Sequence, residues 1–147
     1  KTAYEINGLK RLTSYPKRFL ADTALALALA DRTADDVASD PTAAGHFLES
    51  FVAQQLRPQA DLVGATLMHL RTGAGEREID VVIETPRGIF GLEVEHARRA
   101  SGADAKQLAW LRDQLGQRFL HGFVVHTGSD CYSLGERLLA VPIGLLL

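Results

Sequence analysis

The sequence has one cysteine, one methionine and one tryptophan among 147 residues. Because Cys131 is alone, no intrachain disulfide can form, and this favours a reducing compartment. One cysteine and five scattered histidines give no pair at zinc-ligand spacing. No apolar run is long enough to cross a membrane, and the first residues do not resemble a signal peptide. We therefore expect a cytoplasmic protein without a membrane partner.

An excess of basic residues is also missing, since the formal net charge is −2. This balance argues against a strongly electrostatic nucleic-acid binder, whose surface is usually basic. It leaves a local basic groove open, although we interpret the short basic pairs as solvated surface; these pairs are Lys10 with Arg11, Lys17 with Arg18, and Arg98 with Arg99. A GxxxxGK[ST] loop is absent, and TGAGERE at 72–78 lacks its lysine and predicts a turn. The chain itself is therefore expected to have no ATP site.

The periodicity of the apolar residues predicts alternating helices and strands. Asp22 is expected to cap a short helix over TALALALA, and the polar residues 31–42 predict a loop. A helix is expected over 42–56, ending before Pro58, with Glu49 at the edge of its apolar stripe. Further elements are a strand over 62–71, strands over EIDVVIE and IFGLEVE, a helix over 101–119 capped by Ser101, a strand over 119–128, and one or two strands near the end. The pattern predicts an α/β protein with a mixed central sheet flanked by helices.

Acidic residues on the two central strands are the unusual feature. If TPRG at 85–88 closes a hairpin, Glu84 pairs with Ile89, Val82 with Gly91, Asp80 with Glu93 and Glu78 with Glu95. Directly opposed side chains are about 4.5–5.5 Å apart at Cβ, and like charges at that separation destabilise a sheet. Gly91 lies on the same face and leaves room for a ligand or another backbone.

Three interpretations of this acidic face stay open. A Mg²⁺ ion would offset the repulsion, since it accepts one or two carboxylates and fills its shell with water or phosphate oxygens. Alternatively, one carboxyl group holds a proton because a close like charge raises its pKa. In the third, the register is shifted by one residue and the acids form the solvated face of the hairpin.

Four segments carry a resemblance to known families. EIDVVIETPRGIFGLEVE resembles the core of PD-(D/E)XK nucleases, with an acid beginning one strand and a Glu-x-Lys pattern on the next. PKRFLADTALALALA, GHFLESFVAQQL and LAVPIGLLL are similar, in that order, to a C-terminal domain of unknown function, number 4143, of prokaryotic AAA-type ATPases. The resemblance extends from Pro16 to Leu147.

This resemblance implies a restriction-endonuclease-like αβββαβ core over 42–147, preceded by an extension over 1–41 with a short helix packed on the core. It also implies that the chain is the C-terminal part of a longer bacterial ATPase, whose upstream domain would bind ATP. The family pattern assigns Glu49, Asp80 and Glu93 to the Mg²⁺ side of the site, and Glu95 stands where a lysine is expected.

The substitution at position 95 sets the functional expectation. Glutamate cannot supply the cation that lysine places near the scissile phosphate, although it can act as a general base. We therefore expect a module with a degenerate active site that binds nucleic acid or a protein partner. The alternative is an active Mg²⁺-dependent DNA endonuclease or exonuclease in which Asp80, Glu93 and Glu95 are catalytic.

Overall fold

The structure is a computed structural model that describes residues 2–3, 22–72 and 77–146. Its helices are α1 (Thr23–Leu29), α2 (Ala34–Ala38), α3 (Pro41–Leu62) and α4 (Lys106–Leu115), with 3-10 turns at Gly116–Arg118 and Ile143–Leu146. Its strands are β1 (Thr2–Ala3), β2 (Thr66–Arg71), β3 (Glu78–Thr85), β4 (Gly88–Glu95), β5 (Phe119–His126), β6 (Tyr132–Gly135) and β7 (Leu138–Pro142).

The strands form one mixed sheet in the order β1-β2-β3-β4-β5-β7-β6. The β2–β3, β3–β4 and β6–β7 pairs are antiparallel, and β1–β2, β4–β5 and β5–β7 are parallel. The predicted α/β class with a mixed sheet is therefore confirmed. The order α3, β2, β3, β4, α4, β5 also agrees with the expected helix, three strands, helix and strand.

A hydrophobic cluster packs on each face of the sheet. Leu108 and Leu111 of α4 are fully buried against Ile79, Val82 and other sheet residues on one face. On the other face, Val52 and Leu56 of α3 pack with a second set of sheet residues, which comprises Val81, Leu92, Val94 and Val125. The fold therefore has helix, sheet and helix layers, with the hairpin of β3 and β4 between α3 and α4.

The N-terminal helices follow local capping chemistry. Asp22 caps α1 as predicted, because its Oδ1 accepts the Leu25 N–H at 2.9 Å. The prediction of a loop over 31–42 is wrong, since α2 lies within it. Thr33 and Asp36 form a capping box there: the Thr33 Oγ1 accepts the Asp36 N–H, and the Asp36 carboxylate accepts the Thr33 N–H.

Helix α3 is longer than predicted. Pro58 was expected to end it, but the helix continues to Leu62 with Pro58 inside it. An interior proline loses a hydrogen bond and costs about 3 kcal/mol. Leu56 and Ala60, which flank Pro58, are both buried, whereas Pro58 itself is exposed. We infer that packing on either side of the proline offsets its cost.

Two other boundaries differ from the prediction. The strand expected from residue 62 begins at Thr66, because α3 occupies the first of those residues. Helix α4 begins at Lys106 and not at Ser101. The Ser101 N–H and hydroxyl both donate to an Asp104 carboxylate oxygen at 2.7 Å, which makes a turn before the helix. Phe119, assigned to the end of that helix, is the first residue of β5.

Some expectations stay untested. The restriction-endonuclease-like identity of the core and the division of the chain at residue 41 remain predictions. The turn predicted at TGAGERE falls largely on residues 73–76, which lie outside the described residues, as do Lys10, Arg11, Lys17 and Arg18. Among the helices that the structure describes, none is both long and apolar enough to cross a membrane.

Candidate functional site

The hairpin register near the turn is as predicted. Glu84 pairs with Ile89 and Val82 pairs with Gly91. The register between β3 and β4 ends at Val81 opposite Leu92. Asp80 and Glu93 follow that last pair, so the interpretation in which the register is shifted by one residue is wrong. The positions of the Asp80 and Glu93 side chains therefore follow from their own contacts and not from the backbone hydrogen bonds between β3 and β4.

A β-bulge lies at the start of β3. The β2–β3 register runs from Met68 opposite Val82 to Leu70 opposite Ile79, so β3 has one residue more than β2 between these pairs. The bulge explains why Ile79 packs in the α4 cluster with Val82, whereas Val81 packs in the α3 cluster. Uninterrupted alternation would place Ile79 and Val81 on one face of the strand, and the bulge separates them. A bulge redirects side chains, and bulges are common beside functional sites.

Asp80 is hydrogen-bonded to both the backbone and the Glu93 side chain of β4. Its Oδ2 accepts the Val94 N–H at 3.0 Å, so the carboxylate replaces a backbone acceptor where the ladder ends. Its carboxylate also hydrogen-bonds to the Glu93 side chain. Two carboxyl oxygens can hydrogen-bond only if a proton lies between them. Asp80 and Glu93 are thus brought together as a pair, as the sequence predicted.

Glu93 is the group whose protonation is most perturbed. Burial disfavours its charged form, and the Asp80 charge and hydrogen bond add to this effect, so the pKa of Glu93 is raised to about 10. Its Oε1 is buried without a hydrogen-bond partner in the described part of the chain. At neutral pH Glu93 is therefore protonated. Of the three interpretations of the acidic face, the shared proton is the one that these contacts favour.

Glu95 belongs to the same group of acids. Burial raises the pKa of its carboxyl group, and the charges of Asp104 and Asp80 act in the same direction. Asp104 comes from the turn before α4, nine residues after Glu95, and the sequence pattern gave no sign that it would approach the hairpin. Position 95, where the family pattern expects lysine, thus adds a further acid to this cluster.

Glu78 does not join the acids as predicted. It lies opposite Arg71 of β2, and the two side chains form a long, exposed ion pair at 3.9 Å. Such a pair contributes little to stability because solvent screens it. Glu78 was predicted to lie opposite Glu95 of β4. In the structure it is paired with Arg71 of β2, and the β3–β4 register does not extend to it.

Glu49 lies on α3, and its Oε2 is buried. Glu93 is in register with Val124, which belongs to the cluster under α4 on the other face of the sheet. Within residues 22–72 and 77–146, no group of three or more His, Cys, Asp or Glu side chains is arranged to hold a metal ion. The structure therefore brings Asp80 and Glu93 together, and it does not add Glu49 to them as a third metal ligand.

Gly91 serves packing in the structure. A Cβ at this position would be 2.7 Å from Leu108 Cδ2 and 3.4 Å from Leu111 Cδ2. Of the two predicted alternatives, a ligand or another part of the chain, the structure shows the second, because side chains of α4 fill this space. The glycine allows α4 to approach the sheet closely beside the acids.

The carboxyl groups of Asp80 and Glu93 provide part of the ligand set that a hard cation requires. Two carboxylates are the number that Mg²⁺ usually takes from a protein, with water or phosphate oxygens completing its shell. Asp80 and Glu93 would be the residues that hold it. The charge of such an ion would favour loss of the Glu93 proton, since a nearby cation stabilises the carboxylate.

The comparison with protein families places these elements in a known group. The chain matches the family described as Domain of unknown function (DUF4143) over residues 44–146. Because this match covers most of the chain, the protein belongs to that family. The match includes most of α3, both hairpin strands, α4 and the C-terminal strands. No curated protein matches the chain.

Proposed function

We propose that this chain is a binding module built on a nuclease-like core with a degenerate active site. The single observation that carries the proposal is that the buried Glu93 carboxyl lies beside Asp80, in a cluster to which Glu95 adds a further acid, so that the pKa of Glu93 is raised. A protonated acid is a poor metal ligand, and an acid at position 95 cannot neutralise charge at a scissile phosphate. The resemblance to PD-(D/E)XK nucleases supports the nuclease-like core of this proposal. The chemistry of the acids argues against catalysis.

The partner of such a module would be a nucleic acid or a protein. Without a metal ion, the acids at this site repel a phosphate backbone, and the net charge of −2 adds no long-range attraction. These charges favour a protein partner. In line with the family resemblance, the module would act as the cytoplasmic C-terminal domain of a bacterial AAA-type ATPase, with ATP bound only by the upstream domain.

Metal titration and nuclease assays test this proposal. We expect no heat from millimolar Mg²⁺ or Mn²⁺ in calorimetry at neutral pH, and no cleavage of supercoiled, linear or single-stranded DNA. Asp80→Ala is the matched control, because it removes the hydrogen-bonded acid from the site. Metal-dependent cleavage by the wild type that is lost in Asp80→Ala would overturn the proposal.

The alternative is an active Mg²⁺-dependent endonuclease or exonuclease, and one observation favours it. Asp80 lies beside Glu93, and this pair is the two-carboxylate set that such an ion takes. In that case Asp80 and Glu93 would hold the ion, and Glu95 would orient or deprotonate water. Glu95→Gln would then reduce cleavage while leaving the heat of metal binding in place.

A further inference from the structure

Two connections of the chain meet at the carboxyl ends of β4 and β5. The β4 connection, residues 96–100, leads from β4 towards α4, and the β5 connection, residues 127–131, joins β5 to β6. The Thr127 N–H donates to the Ala97 carbonyl oxygen at 2.9 Å. This hydrogen bond joins the two connections directly beyond the ends of their strands.

Close packing and a second hydrogen bond complete this contact. Gly128 lies against the backbone of the β4 connection, where an added Cβ would collide with the Arg98 carbonyl oxygen. The Tyr132 hydroxyl, at the start of β6, donates to the Ala100 carbonyl oxygen at 2.7 Å. The two connections and Tyr132 are thus fixed to one another at several points, and together they form a clamp.

His126, the last residue of β5, supports the clamp from within the fold. It is 1% exposed, and both of its ring nitrogens contact the backbone of the β5 connection. The Gly128 N–H donates to Nδ1 at 3.0 Å, and Nε2 is 3.0 Å from the Asp130 carbonyl oxygen. A backbone N–H only donates and a carbonyl oxygen only accepts, so Nδ1 is without a proton and Nε2 carries one. These contacts therefore fit one tautomer of the neutral imidazole.

Charged groups of both signs surround His126. Glu95 is its neighbour across the β4–β5 ladder, and the Arg99 guanidinium lies 4.7 Å from the centroid of the Tyr132 ring, which packs on the imidazole. An ionised Glu95 would favour a second proton on His126 and Arg99 would disfavour it. The titratable and charged side chains that face His126 or its immediate neighbours are those of Glu95, Arg98, Arg99, Asp104, Asp130 and Tyr132. The consequence of a second proton for the clamp is set by the hydrogen bonds of the ring itself.

A second proton on His126 is incompatible with the closed clamp. A protonated Nδ1 would be a donor that faces another donor, the Gly128 N–H, so that hydrogen bond would be lost. The ring is fully buried and packs against Tyr132, with 5.7 Å between the ring centroids, so it cannot turn away freely. Gly128 cannot move further inwards, because the Arg98 backbone blocks it. The β5 connection would therefore have to move outwards.

We propose that His126 is a pH-sensitive switch that opens this clamp when acid protonates its imidazole. Histidine is the side chain that usually changes its charge between about pH 5 and pH 8. Opening separates the β5 connection from the β4 connection, which leads from Glu95 to the turn that holds Asp104. In acid, the first residues after Glu95 thus lose the contacts that fix them. The switch does not depend on the proposed binding function.

Amide exchange followed by NMR on the full 147-residue chain tests the switch. The measured quantity is the protection of the Gly128 and Thr127 amides, corrected for the intrinsic exchange rate at each pH. We expect at least about tenfold less protection at about pH 5 than at about pH 7.5, because both hydrogen bonds are lost on opening. The amides of Leu108 and Leu111, in the core of α4, are the internal reference and should not lose protection.

The nitrogen chemical shifts of the imidazole report the switch in the wild type without any substitution. At about pH 7.5 we expect His126 to have a bare Nδ1 and a protonated Nε2, and at about pH 5 we expect both nitrogens to carry protons.

His126→Asn is the test variant, because an asparagine Oδ1 can replace Nδ1 as the acceptor of the Gly128 N–H and does not titrate. Its Gly128 amide should have the same protection at both pH values. His121→Asn is the matched control, since His121 is exposed on the same strand, and it should keep the loss of protection seen in the wild type. Circular dichroism verifies that both variants are folded, and the nitrogen shifts of the wild type decide if His126→Asn is not.

Three results would overturn the proposal. The first is an imidazole of His126 that keeps a single proton at about pH 5, and the second is equal protection of the wild-type Gly128 amide at both pH values. The third is a loss of protection in His126→Asn as large as that in the wild type. If His121→Asn abolishes the loss instead, the titrating group is His121 and the proposal for His126 is wrong.

Discussion

Replacing Glu93 with glutamine tests the protonated pair directly. The folded chain holds the Glu93 proton until about pH 10, whereas an unperturbed glutamate releases it near 4.5. Between these values the unfolded chain binds fewer protons than the folded chain. The free energy of unfolding must therefore fall as pH rises through this window, and the stabilisation is fully present only below the lower value.

The size of the effect follows from the same linkage. One proton bound by the folded state alone changes the free energy of unfolding by about 1.4 kcal/mol per pH unit, or roughly 4 kcal/mol between pH 5 and pH 8. Glutamine has nearly the same shape as a protonated glutamate, and its N–H can donate to Asp80 in the same way. Because glutamine does not titrate, Glu93→Gln should lose this part of the pH dependence.

Urea unfolding at several values from about pH 5 to about pH 8 measures the difference. We expect Glu93→Gln to be close to the wild type at the acidic end and several kcal/mol more stable at the basic end. Glu136→Gln is a matched control, because Glu136 is 78% exposed and should leave the slope unchanged. If the stability difference between Glu93→Gln and the wild type is the same at every pH, the folded chain does not hold the proton on Glu93.

Two further substitutions test the structural support of the site by chemical denaturation at a fixed pH. Asp80→Ala leaves the Val94 N–H without its acceptor and should cost about 1–3 kcal/mol, whereas Asp80→Asn keeps an acceptor oxygen and should cost less; equal losses would contradict the role of the 3.0 Å hydrogen bond. Gly91→Ala places a methyl group 2.7 Å from the buried Leu108 and should cost about 1–3 kcal/mol, whereas Gly102→Ala enters open space. Equal stability of these two glycine variants would show that α4 adjusts freely.

The register of the hairpin could be predicted from the sequence because it depends on the residues of the turn and of the two adjoining strands. The TPRG turn fixed the pairing of Glu84 with Ile89, and strict alternation then carried the register to Val81 and Leu92. The backbone ladder ends there, and the predicted alternation of faces fails at Ile79. EIDVVIE alternates without interruption, and the bulge at Asp80 results from the pairing with β2, which is a tertiary effect.

The other failures also came from packing that is distant in sequence. The prediction ended α3 before Pro58, because proline disfavours a helix interior. The helix continues past Pro58, where Leu56 and Ala60 are buried on either side of it. Gly91 was expected to leave a space, and the partner that fills it, α4, follows only after β4 has ended. Asp104 approaches Glu95 for the same reason. The pairing of Asp80 with Glu93 could be predicted from the sequence. The burial of Glu93 and the approach of Asp104 to the acids could not.

The acid at position 95 changes how the site balances its charge. A lysine there would stabilise both neighbouring carboxylates in their charged forms, and the pair would be ready for a metal ion. With glutamate, the repulsion among Asp80, Glu93 and Glu95 is relieved by a proton on Glu93. Any cation that binds between Asp80 and Glu93, whether a metal ion or a basic side chain of a partner, must therefore displace that proton. Its affinity should rise with pH, because fewer protons then compete for the site.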